Sequence, residues 1–415
     1  MKALHLFCLE LGRLFQSRLT WLVILLTVLS PLAGLVLYKP TAADTMLSMY
    51  LADPALAGGV LGGILFGLLT VYELDRTERS RVGMLMDAAV SPLTMALVRL
   101  PALAAAAVLG LGLTMLVWLP ISRELIGSVF GGTDYLLSYL LFMGLALWLA
   151  ILAAAAAYQF TRRSDLSLVL FAAFAALSLT VWAGKWQLCW LTPCVWALSD
   201  DFSNFRLYRS VAYMRLTWLA ALAGVWTLSW LCIRQYGKGL LGSLARSARR
   251  VCRPLIALLL LACSGAAYAA QPFFDNSNPD LTASRLFELE YAEGVTCSRR
   301  TAQVFPDTAA GTVEGRAAYQ FQNTSGQGWT VCFGVDPGYD ITSARANGAE
   351  ISPVRIGYEE SNMALWEIAL PADGAVELVL EYGGFPRDWN IAETTQGSPE
   401  ISGAYLCLEN QNLMP

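Results

Sequence analysis

Long apolar runs constrain this chain more than any other feature of its sequence. A helix that crosses the hydrocarbon core of a bilayer needs about 20 mostly apolar residues. The runs predict six transmembrane helices and a seventh, shorter one. They are Trp21–Tyr38, Ala55–Tyr72, Leu100–Leu119, Leu136–Phe160, Leu166–Ala183, Leu216–Ile233 and Pro254–Ala270.

Charged residues are unevenly distributed along the chain. They make up 14% of all residues, against about 25% in a soluble domain, and they are sparse between Trp21 and Ile233. From Gln271 onward the composition is that of an ordinary globular domain. We therefore predict a membrane all-α helical bundle followed by an all-β antiparallel sandwich. The expected parts are an amphipathic interfacial helix (1–19), a six-span domain (20–237), a basic cytoplasmic linker (238–253), a seventh transmembrane helix (254–270) and an extracytoplasmic β domain (271–415).

The placement of Lys and Arg predicts the orientation. Basic residues concentrate in alternate connections, most densely from Arg246 to Arg253, and such connections stay in the cytoplasm. The N-terminus is then cytoplasmic, and an odd number of crossings carries the C-terminal domain to the outside of the plasma membrane. Lys2–Ser17 has the pattern of an amphipathic helix on the lipid bilayer, although a frayed terminus is an alternative. No coherent basic face indicates nucleic-acid binding.

Two further segments leave alternatives open. The external segment Trp186–Ser210 is rich in Trp, which favours a re-entrant or interfacial structure. Its Cys189 and Cys194 could pair on the oxidising side, but spacing does not fix their geometry and we expect free thiols. Pro254–Ala270 also has features of a signal peptide or lipoprotein acceptor site, and we read it as an uncleaved span.

The sequence offers no energy source of its own. Ion-coupled transporters place ionisable residues at mid-membrane depth, and none lies within Leu100–Leu119, Leu140–Phe160 or Leu166–Ala183. A G-x-x-x-x-G-K-[ST] nucleotide-binding loop is absent as well. Any ATP hydrolysis is therefore expected in a separate subunit.

The stretch from Glu73 to Arg99 resembles the cytoplasmic segment of ABC-2-type exporter permeases. The features that carry the resemblance are Glu78-Arg79, Gly83, Met84-Leu85 and Ser91-Pro92. It covers about residues 1–235 and implies a permease subunit of an ATP-driven exporter, paired with a separate ATP-binding subunit and assembled as a homo- or heterodimer. The residues expected to couple to the ATPase are Arg76, Glu78, Arg79, Arg81, Met84, Leu85 and Asp87. The alternative is a solvated loop whose arginines only set topology.

The C-terminal region alternates with period two from Trp329 to Val335 and from Val376 to Tyr382, and turn signals such as Asn347-Gly348 separate the runs. Its segments "GRAAYQFQN" and "LVLEYGGFP" resemble the N-terminal β domain of the membrane alanyl aminopeptidase family. That family holds zinc with H-E-x-x-H, whereas His5 is the single histidine here. We therefore expect no catalytic residue, metal or cofactor, and no enzyme activity. The alternative functions are a membrane-anchored β-domain scaffold and an inactive truncated fragment of a permease–aminopeptidase fusion.

Overall fold

A computed structural model describes residues 2–41, 44–80, 90–183, 188–195, 197–200, 204–233, 252–269, 294–336, 338–358, 364–372, 374–384, 400–401 and 406–407. The chain divides into two compact units, Met1–Gln271 and Pro272–Pro415. The first is helical and the second is built from strands.

The helical unit contains long helices interrupted by π-helical and 3-10 turns. In chain order the helices are α1 (Lys2–Gln16), α2 (Arg18–Leu29), α3 (Leu32–Val36), α4 (Asp53–Arg79), α5 (Pro92–Ile126), α6 (Gly132–Ser138), α7 (Leu145–Thr161), α8 (Ser164–Leu179), α9 (Phe205–Ser229) and α10 (Cys252–Ala269). The π-helical turns Ser48–Ala52 and Tyr139–Gly144 precede α4 and α7, and the 3-10 turns Gly127–Val129 and Trp230–Cys232 follow α5 and α9.

Five helical segments are long and apolar enough to cross a membrane, by their length and composition. They are Arg18–Val36, Ser48–Arg79, Pro92–Val129, Gly132–Thr161 and Leu207–Cys232. The prediction of an apolar helical region is thereby confirmed, with five candidate spans. The fifth and seventh predicted spans correspond to the shorter apolar helices Ser164–Leu179 and Pro254–Ala269, so a count of six or seven spans stays a prediction.

Local sequence explains where α5 begins. Ser91 has extended backbone angles, its Oγ accepts a hydrogen bond from the Thr94 amide at 3.2 Å, and Pro92 occupies the first turn. A serine N-cap satisfies an otherwise unpaired amide, and proline is favoured at the first helical position. The Ser91-Pro92 step therefore starts the helix several residues before the apolar run at Leu100.

Small residues let α4 approach its neighbours closely. A Cβ added at Gly59 would lie 2.5 Å from the Phe142 carbonyl oxygen, in the π-helical turn before α7. Because apolar side chains gain little by leaving lipid for protein, helices in a bilayer associate through such close backbone packing. Gly59 thus places α4 directly against the turn Tyr139–Gly144.

The second unit is antiparallel throughout its described strand pairs. Its strands are β1 (Val295–Asp307), β2 (Thr312–Asn323), β3 (Trp329–Val335), β4 (Tyr339–Ala346), β5 (Ala349–Ile351), β6 (Val354–Tyr358), β7 (Ala364–Leu370), β8 (Ala375–Gly384), β9 (Glu400–Ile401) and β10 (Leu406–Cys407). They form sheets of order β1-β2-β8-β4-β5, β3-β7-β6 and β10-β9.

The predicted period-two pattern is the basis of the strand core. Alternate residues of β2 and β8 are buried, and the five-stranded and three-stranded sheets contribute to one apolar cluster. Asn347 and Gly348 have φ of 49° and 80°, as a two-residue turn with both central residues left-handed requires. An antiparallel β-sheet domain is therefore confirmed, and its arrangement as a sandwich stays a prediction.

Candidate coupling site and a buried arginine

An ionic cluster joins the amphipathic helix α1 to α4 and α5. It consists of Glu10, Arg13, Glu73, Arg76 and Arg99. The Arg13 side chain forms ion pairs with Glu10 at 2.6 Å and with Glu73 at 2.8 Å, and Arg99 lies 3.6 Å from Glu10. Arg76 lies 3.9 Å from Glu73. Charges from three helices therefore meet at the C-terminal end of α4.

Because its carboxylates are buried, the ionic cluster attaches α1 specifically to the neighbouring helices. Glu10 is 9% exposed and Glu73 is 3% exposed. Burial by itself lowers the pKa of Arg13, but its pairing with Glu10 and Glu73 outweighs that effect and raises the pKa. Because breaking a buried pair leaves an uncompensated charge, the Arg13–Glu73 pair fixes α1 to α4 and the Arg99–Glu10 pair fixes it to α5, in addition to the packing of its apolar face.

A second pair lies one turn along α4. Arg79 contacts the Asp75 carboxylate at 3.1 Å, donates to the Tyr72 carbonyl at 2.6 Å and lies 3.9 Å from the centre of the Tyr72 ring. Asp75 is also the acceptor of a 3.2 Å hydrogen bond from the Tyr158 hydroxyl on α7. These contacts continue α4 as an ordered helix beyond its apolar run.

The structure describes part of the predicted coupling segment. Arg76, Glu78 and Arg79 lie together on the last turn of α4, with exposed side chains. Arg81, Met84, Leu85 and Asp87 lie outside the described residues. The described end of the segment therefore presents an exposed charged turn that is connected, through Glu73, to α1.

A cavity of about 430 Å³ lies beside Asp75 and Arg79. Apart from these two residues and a few polar neighbours its walls are aliphatic side chains of α2, α4 and α8, among them Leu22, Leu68 and Leu168. The size is within the usual range of small-molecule pockets. The cavity thus offers apolar walls with charge at one end.

Arg215 is fully buried inside the helical unit and is held by backbone carbonyls. Its Nε donates to Leu141 O at 2.9 Å and its Nη2 to Phe142 O at 3.0 Å. Its Nη1 donates to Trp190 O at 2.6 Å, and both Nη atoms also reach Leu191 O at 3.3 Å. Five donated hydrogen bonds on four carbonyls therefore surround this guanidinium.

The two segments that bind Arg215 are irregular for a physical reason. A π-helical turn widens the helix and disturbs its i→i−4 ladder, which releases the carbonyls of Leu141 and Phe142. Trp190 and Leu191 lie in a non-helical stretch of the chain. Since buried carbonyls in a membrane protein require donors, Arg215 binds both segments at once and holds the stretch 188–195 against the π-helical turn.

The predicted span began at Leu216, which left Arg215 in the connection before it. The helix actually begins at Phe205, which puts Arg215 ten residues, or about 15 Å, into it. The ionic cluster was also missed, although its spacing was visible: Glu10 and Arg13, Glu73 and Arg76, and Asp75 and Arg79 are each three or four residues apart.

The chain matches no family model, no curated protein and no solved structure. Within the described residues, no group of three or more His, Cys, Asp or Glu side chains is arranged to hold a metal ion.

Proposed function

We propose that this chain is the membrane subunit of an ATP-driven exporter of the ABC-2 type, energised by a separate ATP-binding subunit. The observation that carries the proposal is the charged end of α4. It presents Arg76, Glu78 and Arg79 on the surface while Glu73 ties the same helix to α1. Force applied to that turn would reach both a membrane-crossing helix and the amphipathic helix.

The charged turn is suited to docking because its charged side chains can fix the orientation of a bound partner. Complementary charges across an interface set register and partner choice more than raw affinity. Glu78 is exposed, so it is available to a basic residue of the ATP-binding subunit. Within the segment 81–89, Met84 and Leu85 would supply apolar anchors, and Arg81 and Asp87 would supply further charges.

The proposal includes six membrane crossings and a seventh formed by α10. Support for the seventh comes from its packing. Ser264 of α10 donates a 2.9 Å hydrogen bond to the Thr217 carbonyl of α9, while Leu255, Leu258 and Leu259 are more than half exposed. An apolar helix with one face on α9 and one bare face fits a lipid environment.

With the N-terminus in the cytoplasm, seven crossings place the β unit outside the plasma membrane. We propose that the unit is a two-sheet sandwich, since both larger sheets contribute to one apolar cluster. The exporter would be a dimer of membrane subunits, homo- or heteromeric, because a transport path needs two membrane halves.

Association with an ATPase tests this function. The chain is purified in mild detergent from its own membrane, and the amount of ATP-binding subunit that co-purifies with it is measured. Glu78→Lys should weaken association about tenfold, since one charge-assisted contact contributes about 1.5 kcal/mol. Glu124→Lys, an equally exposed acidic position near the far end of α5, is the matched control and should bind like the wild type. Equal binding by Glu78→Lys, or no binding by the wild type, contradicts the proposal.

A further inference from the structure

The stretch that receives Arg215 also contains two neighbouring cysteines. Cys189 Sγ and Cys194 Sγ are 3.2 Å apart. A disulfide has an S–S distance of about 2.05 Å, so a shift of about 1 Å would join them. The two sulfurs face each other across a short loop. Their spacing in the sequence did not predict this arrangement.

We propose that Cys189 and Cys194 form a disulfide on the extracytoplasmic side, and that this bond fixes the stretch 188–195 to which Arg215 is bound. The inference goes beyond the exporter function but rests on the orientation proposed with it. The sequence predicts free thiols, and no disulfide joins the two sulfurs in the structure. The proposal rests on the proximity that the fold supplies.

The exposure of the two thiols defines the order of the reaction. Cys194 is partly exposed, whereas Cys189 is 1% exposed and lies 2.9 Å from the Trp182 carbonyl. Cys194 is therefore the thiol that an oxidant can reach, and Cys189 is the one placed to resolve the intermediate. Division into a reachable and a resolving cysteine is typical of thiol–disulfide exchange.

The step balances with a disulfide-bearing oxidoreductase as the oxidant. The Cys194 thiolate attacks the carrier disulfide, forms a mixed disulfide and releases one carrier thiolate. The Cys189 thiolate then attacks Cys194 Sγ, forms the internal bond and releases the second carrier thiolate. Two protein thiols are oxidised, one carrier disulfide is reduced to a dithiol, and the two protons pass to the carrier.

The position of the pair gives the bond a structural consequence. Trp190 and Leu191, whose carbonyls accept from Arg215, follow Cys189 directly and lie within the loop that the disulfide would close. Oxidation restricts the conformations available to those carbonyls when the stretch is undocked. The disulfide and Arg215 therefore act on the same segment, one through the covalent loop and one through hydrogen bonds.

The test uses the full chain in its own membrane. Cells are quenched in acid, free thiols are alkylated under denaturing conditions, and the peptide that contains both cysteines is analysed by mass spectrometry with and without reduction. We expect alkylation of Cys189 and Cys194 only after reduction, whereas Cys232 and Cys263 are alkylated without it. In Cys194→Ser, Cys189 should be alkylated without reduction. Alkylation of both cysteines in the unreduced wild type overturns the proposal.

A second measurement separates this inference from the exporter function. The same preparation is examined for the associated ATP-binding subunit. A disulfide in a chain without the ATPase supports the inference and removes the proposed function. Free thiols in a chain with the ATPase do the reverse. Purified, reduced protein should also regain the bond on exposure to oxidised glutathione, and failure to do so overturns the inference.

Discussion

Replacing Arg215 by methionine should release the stretch 188–195 from the helices that surround it. Three of the Arg215 hydrogen bonds are 3.0 Å or shorter and end on different carbonyls, those of Leu141, Phe142 and Trp190. A buried acceptor left without its partner costs about 1–3 kcal/mol. Removing the guanidinium also removes the free-energy cost of burying its charge. We therefore take the lower limit of this range, about 1 kcal/mol, for each of the three carbonyls. The docked state should lose about 3 kcal/mol.

Local opening can be measured through the thiol of Cys189. The side chain is 1% exposed, so a thiol reagent reacts with it only when the stretch undocks. A loss of about 3 kcal/mol corresponds to roughly a hundredfold faster labelling, measured in protein that is kept reduced in mild detergent. Arg215→Lys should fall between the wild type and methionine, because an ammonium lacks the planar fork that serves several carbonyls at once.

Two controls make the measurement specific. Arg123→Met removes an exposed arginine of α5 and should leave the labelling of Cys189 unchanged. Cys263, whose side chain is exposed, reports general changes in reactivity. A wild-type labelling rate for Cys189 in Arg215→Met would refute the idea that the guanidinium fastens this stretch.

Three other changes test the account. Glu73→Gln should lower the free energy of unfolding by about 1.5–3 kcal/mol, because Arg13 loses one of its two buried partners. The change is measured by thermal unfolding in detergent. An unchanged midpoint contradicts the prediction. Gly59→Ala should lower the free energy of unfolding by about 1–3 kcal/mol through overpacking. Gly112→Ala should not lower it, because nothing lies within 4 Å of the added Cβ. Burial raises the pKa of Tyr382 from its ordinary 10 to about 12. The folded state therefore favours the neutral phenol, so the β unit should lose stability as pH rises from 10 through 12, and Tyr382→Phe should lack that component when unfolding is followed by fluorescence.

The sequence predicted the β-strands well because they follow period-two alternation, and the apolar helices well because they follow long apolar runs. Alternation from Val376 to Tyr382 sets which face of β8 is buried, and the Asn347-Gly348 pair sets the turn before β5. Helix ends were predicted less well. The apolar run of α4 stops near Tyr72, yet the helix continues to Arg79, because Asp75 and Arg79 pair four residues apart.

The buried contacts of Arg215 could not be predicted in the same way. An arginine next to an apolar run is usually a sign that the span has ended, since a charge at mid-membrane depth is costly. Here the cost is offset by carbonyls from residues more than 20 positions away, in a π-helical turn and an irregular stretch. Such compensation depends on tertiary structure, and no local pattern around Arg215 records it.

The ionic cluster lies between these two cases. The spacing of Glu10 and Arg13 and of Glu73 and Arg76 indicates pairs within each helix. The contact between Arg13 and Glu73 depends on how α1 lies on α4, which the amphipathic pattern of α1 leaves open. The sequence pattern therefore predicts which charged residues can pair within one helix. The packing of the helices determines which of them pair between helices.

The most direct test of the central claim is the stimulation of ATP hydrolysis. The chain and its ATP-binding subunit are reconstituted in lipid vesicles, and hydrolysis is measured for the wild type and for the double variant Glu78→Ala, Arg79→Ala. The matched control is Arg123→Ala, Glu124→Ala, an exposed pair near the far end of α5. Because Arg79 also pairs with Asp75, all proteins are first matched for expression and thermal midpoint. We predict stimulation by the wild type and the control, and its loss in the double variant. Full stimulation by the double variant would contradict the proposal that this turn of α4 couples the membrane subunit to an ATPase.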